Sequence, residues 1–404
     1  MLRAFRTEVR LTGQQKLIFA KTVGVMRFVK NLYIERNQEV YQNEQRFVTA
    51  YEFSVWLNNV YLVENPDKQW IKEVYQKAVK QAIINTERAF RRFFKGLSGY
   101  PKFARKSKQD TKFYFVRNGM NQPIKASRVS VQIPTMGWVS IKEKGYIPMS
   151  GIRSGTIEQR GGRYFISILV DVDLLGVQNN VVRSNGIGLD FGVKSPVVDS
   201  NGTTLADIEK TPQVRFLEKK LKRERRRLSR QWETNVKDKQ YYENGKKKGQ
   251  LKSFSYIRPL RECKNYQKQR IVVQGIQLRL GNIRLNAQRQ MVAKWVRAKP
   301  AYIAIEDLNV KGMLKNRHLA RAVSKRNFYR LRMLLTQKCS ENSIQLRLVD
   351  RWYPSSKTCH NCGYYNADLS LADRVFTCPV CGARIDRDYN AAMNLRDTKE
   401  YIVL

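Results

Sequence analysis

Residues Cys359–Leu395 read CHNCGYYNADLSLADRVFTCPVCGARIDRDYNAAMNL, two cysteine pairs followed closely by acidic residues. Cys359, Cys362, Cys378 and Cys381 form a C-x2-C-x15-C-x2-C pattern, which is typical of a zinc site with four cysteine ligands. The alternative is four free thiols in a loop. Because four thiolates leave no coordination position open, we expect this Zn²⁺ to be structural and not catalytic.

The whole chain is strongly basic. Its 404 residues contain 76 Lys and Arg against 34 Asp and Glu, a formal net charge of +42. Such a charge indicates a polyanionic partner, and nucleic acid is the first candidate. An acidic membrane surface is the alternative, but the sequence has no long apolar span, signal peptide or lipidation signal. The two cysteines outside the pairs are isolated, so we expect a cytoplasmic protein without disulfides.

The first 176 residues change from helical to strand-like patterning. A short strand at 5–10 precedes a helical pattern from Gln14, and the clearest helix is predicted over 67–96. Residues 112–176 alternate apolar and polar residues or are rich in β-branched ones, with Gly161-Gly162 as a hairpin turn. This part predicts an antiparallel β domain in the form of a small barrel.

From Asn185 the pattern is typical of an α/β domain. A strand and a turn come first, and a basic, polar stretch extends to about Gln269. A helix and the short buried strand of AYIAIEDL (301–308) then follow. With 42% hydrophobic residues the chain is long enough for two or three cored domains.

The first candidate acid is Asp190, in GIGLDFG (186–192). Its apolar side chains point to one face of a strand, while Gly188, Asp190 and Gly192 point to the other. We interpret the two glycines as clearing a surface that a phosphate backbone and a metal could approach. The alternative is an ordinary aspartate at the end of a strand.

The second and third candidates are Glu306 and Asp388. Glu306 shares a strand face with Ala304 in an otherwise apolar segment, and a buried carboxylate there needs a partner. A salt bridge to an arginine is the alternative. Asp388 falls near the start of a predicted helix, where a plain N-cap is the alternative and Asp386 is a second candidate.

Together, these three acids indicate a specific chemistry. Three carboxylates on separate elements of one domain could hold two Mg²⁺ about 3.5–4 Å apart, as in two-metal nucleases. In a chain this basic, the set predicts phosphodiester hydrolysis.

A basic helix is a further candidate for nucleic-acid binding. RFLEKKLKRERRRLSRQ (215–231) has nine basic and two acidic residues. The alternative is a solvent-exposed helix surface without a binding role, but its charge favours binding to an RNA or DNA backbone. The candidate contacts are Lys222, Arg223, Arg225, Arg226, Arg227 and Arg230.

These motifs resemble TnpB, the family of transposon-encoded RNA-guided nucleases, and the related type V CRISPR effectors. The matching segments are GIGLDFGVK, LSRQ, KNYQKQR, IAIEDLNVKGM, RWYPSSKTCHNCG, CPVCG and DRDYNAAMNL, with weaker matches upstream. The segment from about Thr234 to Glu262 is longer and more basic than the family pattern.

The resemblance implies a multidomain α+β fold. An RNase H-like, RuvC-type nuclease domain (184–355 and 385–404) would carry an inserted zinc ribbon (356–384). A helical recognition domain (13–111) would be inserted in a β-barrel wedge domain (1–12 and 112–183).

The resemblance also implies the activity and the partners. Asp190, Glu306 and Asp388 would be the catalytic, Mg²⁺-binding triad, with Asp388 preferred to Asp386. A monomer would bind a guide RNA (omega RNA) from the transposon end and cleave double-stranded DNA beside a short motif, in the prokaryotic cytoplasm at the nucleoid. A compact CRISPR effector, a guide-dependent DNA-binding repressor without cleavage, and a strand-transferring transposase remain alternatives.

Overall fold

The structure, a computed structural model, describes residues 2–106, 111–116, 124–172, 185–193, 196–203, 207–245, 248–370 and 372–404. Two units divide the chain, Met1–Gly176 and Val177–Leu404.

The first unit contains a six-stranded antiparallel sheet. Its strands are β1 (Leu2–Arg10), β2 (Thr111–Val116), β3 (Ser130–Ile133), β4 (Gly137–Ile141), β5 (Ile152–Arg160) and β6 (Arg163–Asp171). Their order is β2-β5-β6-β1-β4-β3, so the N-terminal strand lies inside the sheet. Gly161 and Gly162 both have positive φ and join β5 to β6, which confirms the predicted hairpin turn.

In the described residues, four α-helices lie between β1 and β2, and a π-helical turn (Leu57–Tyr61) joins the second to the third. The four α-helices are α1 (Gly13–Glu44), α2 (Ala50–Trp56), α3 (Leu62–Glu64) and α4 (Gln76–Phe94). A capping box between Thr12 and Gln15 begins α1. The apolar stripe of α1 packs partly on the sheet, through Phe19 and Val23, and partly on the other helices, through Val29 and Tyr33.

The predicted single helix over 67–96 is wrong at its start. Residues Pro66–Glu73 form a 3₁₀ helix, Val74 is extended, and α4 begins only at Gln76. The Gln76 side-chain amide donates to the carbonyls of Ile71 and Val74, at 2.8 and 2.9 Å. This side chain satisfies backbone groups that a continuous helix would have paired.

The second unit is built on a five-stranded mixed sheet. Its order is β15-β12-β11-β7-β8, with bounds β7 (Ile187–Asp190), β8 (Val198–Asp199), β11 (Tyr302–Glu306), β12 (Gln345–Val349) and β15 (Tyr401–Val403). Strands β7, β11 and β12 are parallel, and the two edge strands are antiparallel to their neighbours.

The remaining elements of this unit are helices and two small hairpins. The helices are α5 (Pro212–Glu233), α6 (Lys264–Arg297), α7 (Val310–Lys315), α8 (Ala320–Arg326), α9 (Phe328–Glu341) and α10 (Arg387–Asp397). The hairpins pair β9 (Val236–Tyr241) with β10 (Leu251–Tyr256), and β13 (Val375–Thr377) with β14 (Arg384–Asp386).

Alternation along the central strands directs two faces of the sheet to different helices. Ile303 and Ile305 of β11 pack in a cluster with residues of α6, α8 and α9. Ala304, between them, packs with Leu395 of α10. The sheet is therefore buried on both faces, as its nearly continuous apolar strands predict.

The basic, polar stretch predicted to reach Gln269 is partly structured. It contains the β9–β10 hairpin, and α6 begins at Lys264. Only Val236 of the two strands is buried, so no apolar alternation marked them in the sequence. Across the described part of the chain, every helix is too short or too polar to span a membrane.

Candidate active site and metal centre

Two of the predicted acids end neighbouring parallel strands. Asp190 is the last residue of β7 and Glu306 the last of β11. Leu189 pairs with Ile305 in the register of the two strands, so the following residues leave the sheet side by side. The carboxyl edge of a parallel sheet is a common position for a ligand site.

The third acid lies on the helix that covers this sheet. Asp388 is the second residue of α10, and its carboxylate is 3.3 Å from the Arg387 guanidinium. The N-cap is Asp386, whose Oδ1 accepts hydrogen bonds from the backbone N–H groups of Asp388 and Tyr389, both at 3.0 Å. The capping role therefore belongs to Asp386, and Asp388 is left without it.

Close contact between strand and helix brings Asp388 to the sheet. Gly188 of β7 is buried, and a Cβ placed there would lie 1.9 Å from the Ala392 carbonyl oxygen of α10. Our interpretation of Gly188 as clearing a surface for a phosphate is therefore wrong, because α10 occupies that space. The glycine instead lets the helix with the third acid approach β7.

Burial and neighbouring acids raise the pKa of two of the carboxylates. Burial, followed by repulsion from Asp388 and Glu306, raises the pKa of Asp190 to about 7. Burial and the neighbouring Asp307 raise the pKa of Glu306 to about 7, against the opposing effect of Arg351. The structure thus brings the three predicted acids into one region, where the Arg387 guanidinium beside Asp388 offsets only part of the negative charge.

The sequence suggested a salt bridge to an arginine as the alternative role of Glu306, but the neighbouring Asp307 forms the salt bridges instead. Its carboxylate pairs with Arg332 at 2.7 Å and with Arg351. Within the described residues, Glu306 forms no salt bridge. Two adjacent acids thus differ in role, and only the three-dimensional contacts separate them.

A small cavity of about 220 Å³ adjoins Glu306. Its lining includes Phe191, Lys311 and Tyr329 as well as the two arginines that hold Asp307. The cavity places both cationic and aromatic side chains next to the acid site.

The four cysteines form a compact metal-binding geometry. Their sulfur atoms all lie within 4.8 Å of one another, with Cys359–Cys381 at 3.7 Å and Cys362–Cys378 at 3.5 Å. Ligands 2.3 Å from a tetrahedral zinc ion have sulfur atoms about 3.8 Å apart, so the residues fit Zn²⁺. In the described ranges no other group of three or more His, Cys, Asp or Glu side chains is this compact, and the three acids do not form one.

The cysteine cluster is tied to α10 by two buried asparagines that sequence reasoning did not identify. Asn390 accepts from the His360 backbone N–H and donates to the Thr358 carbonyl. Asn394 donates to the carbonyls of Thr358 and Ser355. Their spacing of four residues on a helix was the available signal.

His360 contacts the same helix. Its Nδ1 is 3.3 Å from Asn394 Oδ1, and its Nε2 is 3.6 Å from Asp397. Its neighbour in the sequence, Cys359, is buried in the cluster. The histidine next to the first cysteine therefore links the cluster to the helix with Asp388.

The six predicted nucleic-acid contacts are all exposed on α5: Lys222, Arg223, Arg225, Arg226, Arg227 and Arg230. Glu224 on the same helix is buried and accepts from Gln269 of α6. The helix therefore buries an acid against its neighbour and leaves these cations exposed.

Two family profiles and one solved structure match this chain. A profile described as "Cas12f1-like, TNB domain" matches residues 328–395, and a "Helix-turn-helix domain" profile matches residues 1–46. The cryo-EM structure of a Cas12f1–sgRNA–target DNA complex aligns with a TM-score of 0.56 at 13% identity, covering 99% of each chain. The protein therefore has a multidomain α+β fold similar to that of Cas12f1.

Two relatives align with nearly the whole chain. A Streptomyces pristinaespiralis protein named "Putative RNA-guided DNA endonuclease" is 28% identical over 97% of this chain and 88% of its own length. Escherichia coli (strain K12) "Putative RNA-guided DNA endonuclease InsQ" is 25% identical over 98% of this chain and 91% of its own. The resemblance to the TnpB family is confirmed.

Proposed function

We propose that this protein is an RNA-guided DNA endonuclease with one RuvC-type active site formed by Asp190, Glu306 and Asp388. The observation that supports it most directly is the grouping of these acids, two of them with raised pKa, at the carboxyl edge of a parallel sheet. Burial of unpaired like charges costs stability unless a cation or a proton offsets it.

In this proposal, the second unit contains the RuvC-type, RNase H-like domain (184–355 and 385–404) with the zinc ribbon (356–384) inserted before α10. The helical segment 13–111 would be the recognition domain, and 1–12 with 112–183 the wedge domain. The sheet position of β1, which pairs with both β4 and β6, is consistent with a domain assembled from two chain segments.

Mg²⁺ fits the acid site because hard cations prefer oxygen ligands, and three carboxylates are available there. Bound Mg²⁺ would supply activation of water and stabilisation of the charge on the leaving oxygen. The protein's own part is to hold Asp190 and Glu306 on rigid strands and Asp388 on a helix packed against them. Arg332 and Arg351 keep Asp307 neutralised, so that it does not compete with Glu306 as a ligand.

The same proposal assigns the net charge of +42 to a guide RNA and a DNA target. The exposed cations of α5 would bind phosphates without reading sequence, since sequence would be read by base pairing with the guide. Two observations support these partners: the names of the full-length relatives, and the sgRNA and target DNA bound in the Cas12f1 complex of similar fold.

A guide-dependent repressor would need an inactive site, yet all three acids are present. A transposase would join strands, whereas hydrolysis leaves free ends. The test is therefore to incubate the purified protein with the RNA transcribed beside its gene, a matching DNA duplex and Mg²⁺, and to analyse the ends of the products. Free 5′-phosphate and 3′-hydroxyl ends are expected; joined strands, or no cleavage by a fully bound complex, would contradict the proposal.

A further inference from the structure

The β9–β10 hairpin is an exposed two-stranded ribbon with an aromatic cluster at one end. Of its strand residues, Val236 is buried, Leu251 and Ser255 are half-buried, and the others are exposed. Two strands alone are marginally stable in water. An isolated ribbon of this kind therefore needs contacts that orient it.

Three aromatic side chains supply those contacts. The Phe254 ring centroid lies 5.2 Å from that of Trp232, at the end of α5, and 5.1 Å from that of Tyr256. Both pairs are edge-to-face, and the Trp232 Nε1–H donates to the Tyr256 hydroxyl at 3.3 Å. These contacts fix the rings before any ligand binds.

The cluster is not a closed core. Phe254 is 38% and Tyr256 36% exposed, although both are large aromatic residues. Ile257, next to them, is 58% exposed. Aromatic area that stays open on a fixed platform is typical of a binding surface.

The same hairpin and its flanks carry many cations. Residues 230–262 contain nine Lys or Arg against four Asp or Glu. Those exposed on the described part of the hairpin and its flanks include Arg230, Lys237, Lys239, Lys252 and Arg258. Within the described ranges, Lys239, Lys252 and Arg258 form no salt bridge.

We propose that this aromatic, cationic hairpin binds unpaired nucleotides of the guide RNA, with a base against the Phe254–Tyr256 rings and its flanking phosphates on Lys239 and Lys252. Aromatic stacking with neighbouring cations is how proteins bind single-stranded nucleic acid. A duplex would not fit as well, because its bases are already stacked on each other. This inference rests on the proposed function for the identity of the RNA.

A structured RNA is favoured over a protein partner because the open cations require a polyanion. It is favoured over a DNA strand because folded RNAs expose unpaired bases in loops and bulges. A single DNA strand offers the same groups and is therefore an explicit outcome of the test.

The test combines affinity and crosslinking. Phe254→Ala and Lys252→Gln are compared with the unaltered protein for binding of the RNA that copurifies with it. Phe254→Ala should weaken binding roughly 5- to 150-fold. Lys252→Gln should make the dependence of log K on log salt less steep by about 0.7, because one phosphate contact is lost. Ile257→Ala, which removes an exposed side chain without a ring, is the matched control and is expected to change binding less than about twofold.

Ultraviolet crosslinking of the copurified complex, followed by mass spectrometry, locates the contact. Ribonucleotide adducts on the hairpin peptide are expected. Adducts confined to other peptides, with Phe254→Ala binding as tightly as the unaltered protein, would overturn the proposal. So would hairpin adducts that form only with DNA. Hairpin adducts together with a complex that never cleaves DNA would uphold this inference and reject the proposed function.

Discussion

Asp386 and Asp388 lie two residues apart and have different roles. Asp386 caps α10, whereas Asp388 raises the pKa of Asp190 by repulsion. Asp388→Ala should abolish cleavage with RNA and target binding retained, because it removes a metal ligand and no phosphate contact. Asp386→Ala should cost about 1 kcal/mol of stability through the lost cap and leave most of the activity.

Unfolding by denaturant and a cleavage assay on the same preparations separate these effects. Asp386→Asn keeps the cap and serves as the control. An inactive Asp386→Asn protein beside an active Asp388→Ala protein would reverse the assignment of the third acid. Asp190→Ala and Glu306→Ala should match Asp388→Ala in cleavage.

Asp190 should also make the metal-free protein sensitive to pH. Its folded pKa of about 7 lies above the ordinary 3.8, so between these values the folded state binds more protons than the unfolded state. Stability should therefore fall as pH rises from about 4, where the unfolded carboxyl ionises, to about 7, where the folded one does, and the penalty is complete above that range. Asp190→Asn should stabilise the protein at pH 8 by on the order of 1–3 kcal/mol, and by less at pH 5, where only part of the penalty is present.

Unfolding curves at both pH values, in magnesium-free buffer without chelator so that zinc is retained, measure this difference. Added Mg²⁺ should stabilise the unaltered protein at pH 8 and not the Asp190→Asn protein. Equal effects of the substitution at pH 5 and pH 8 would contradict the account.

Helix α10 is held in place partly by the absence of a side chain at Gly188. Gly188→Ala would set a methyl group 1.9 Å from the Ala392 carbonyl oxygen, so helix and strand must separate. We expect a loss of about 1–3 kcal/mol in stability and a marked loss of cleavage, because Asp388 moves with the helix. Gly275→Ala, on α6 with nothing within 4 Å of the new Cβ, is the control and should not destabilise.

Thermal unfolding and the cleavage assay on both variants check this prediction. Normal stability and activity of Gly188→Ala would show that the packing of α10 on β7 does not position the acid.

The cysteine cluster should act on the same helix through zinc. We expect about one Zn per chain, and Cys378→Ser should lower both the zinc content and the hydrogen-exchange protection of 387–397. Asn390, Asn394 and His360 connect the cluster to this helix by hydrogen bonds. Loss of order in the cluster should therefore reduce the stability of the helix. Cys263→Ser, outside the cluster, should keep its zinc. Soluble, active protein that contains no zinc would contradict a structural role.

At the scale of the molecule, the sequence could predict features that depend on local spacing. The four cysteines, the strand-end acids and the Gly161-Gly162 turn are each encoded within a short segment. The role of Gly188 could not be predicted, because its contact lies about 200 residues away in the chain, at Ala392. The β9–β10 hairpin was missed for another reason: nearly all its side chains are exposed, so it has no apolar alternation.

Roles of neighbouring acids needed the structure as well. Glu306 and Asp307 are adjacent acidic residues, and the sequence alone does not show which of them forms salt bridges. Only the positions of Arg332 and Arg351 assign the salt bridges to Asp307. The same holds for Asp386 and Asp388, where the backbone N–H groups identify the cap.

The most direct test of RNA-guided cleavage is a guide-swap experiment. Purified protein, Mg²⁺ and two DNA duplexes with the same flanking sequence are combined with the native RNA, or with an RNA whose guide segment matches only the second duplex. Cleavage should move from the first duplex to the second with the guide, and should be absent without RNA and in the Asp190→Ala protein. Sequence-specific cleavage by RNA-free protein, or a cut that stays on the first duplex after the swap, would contradict the account.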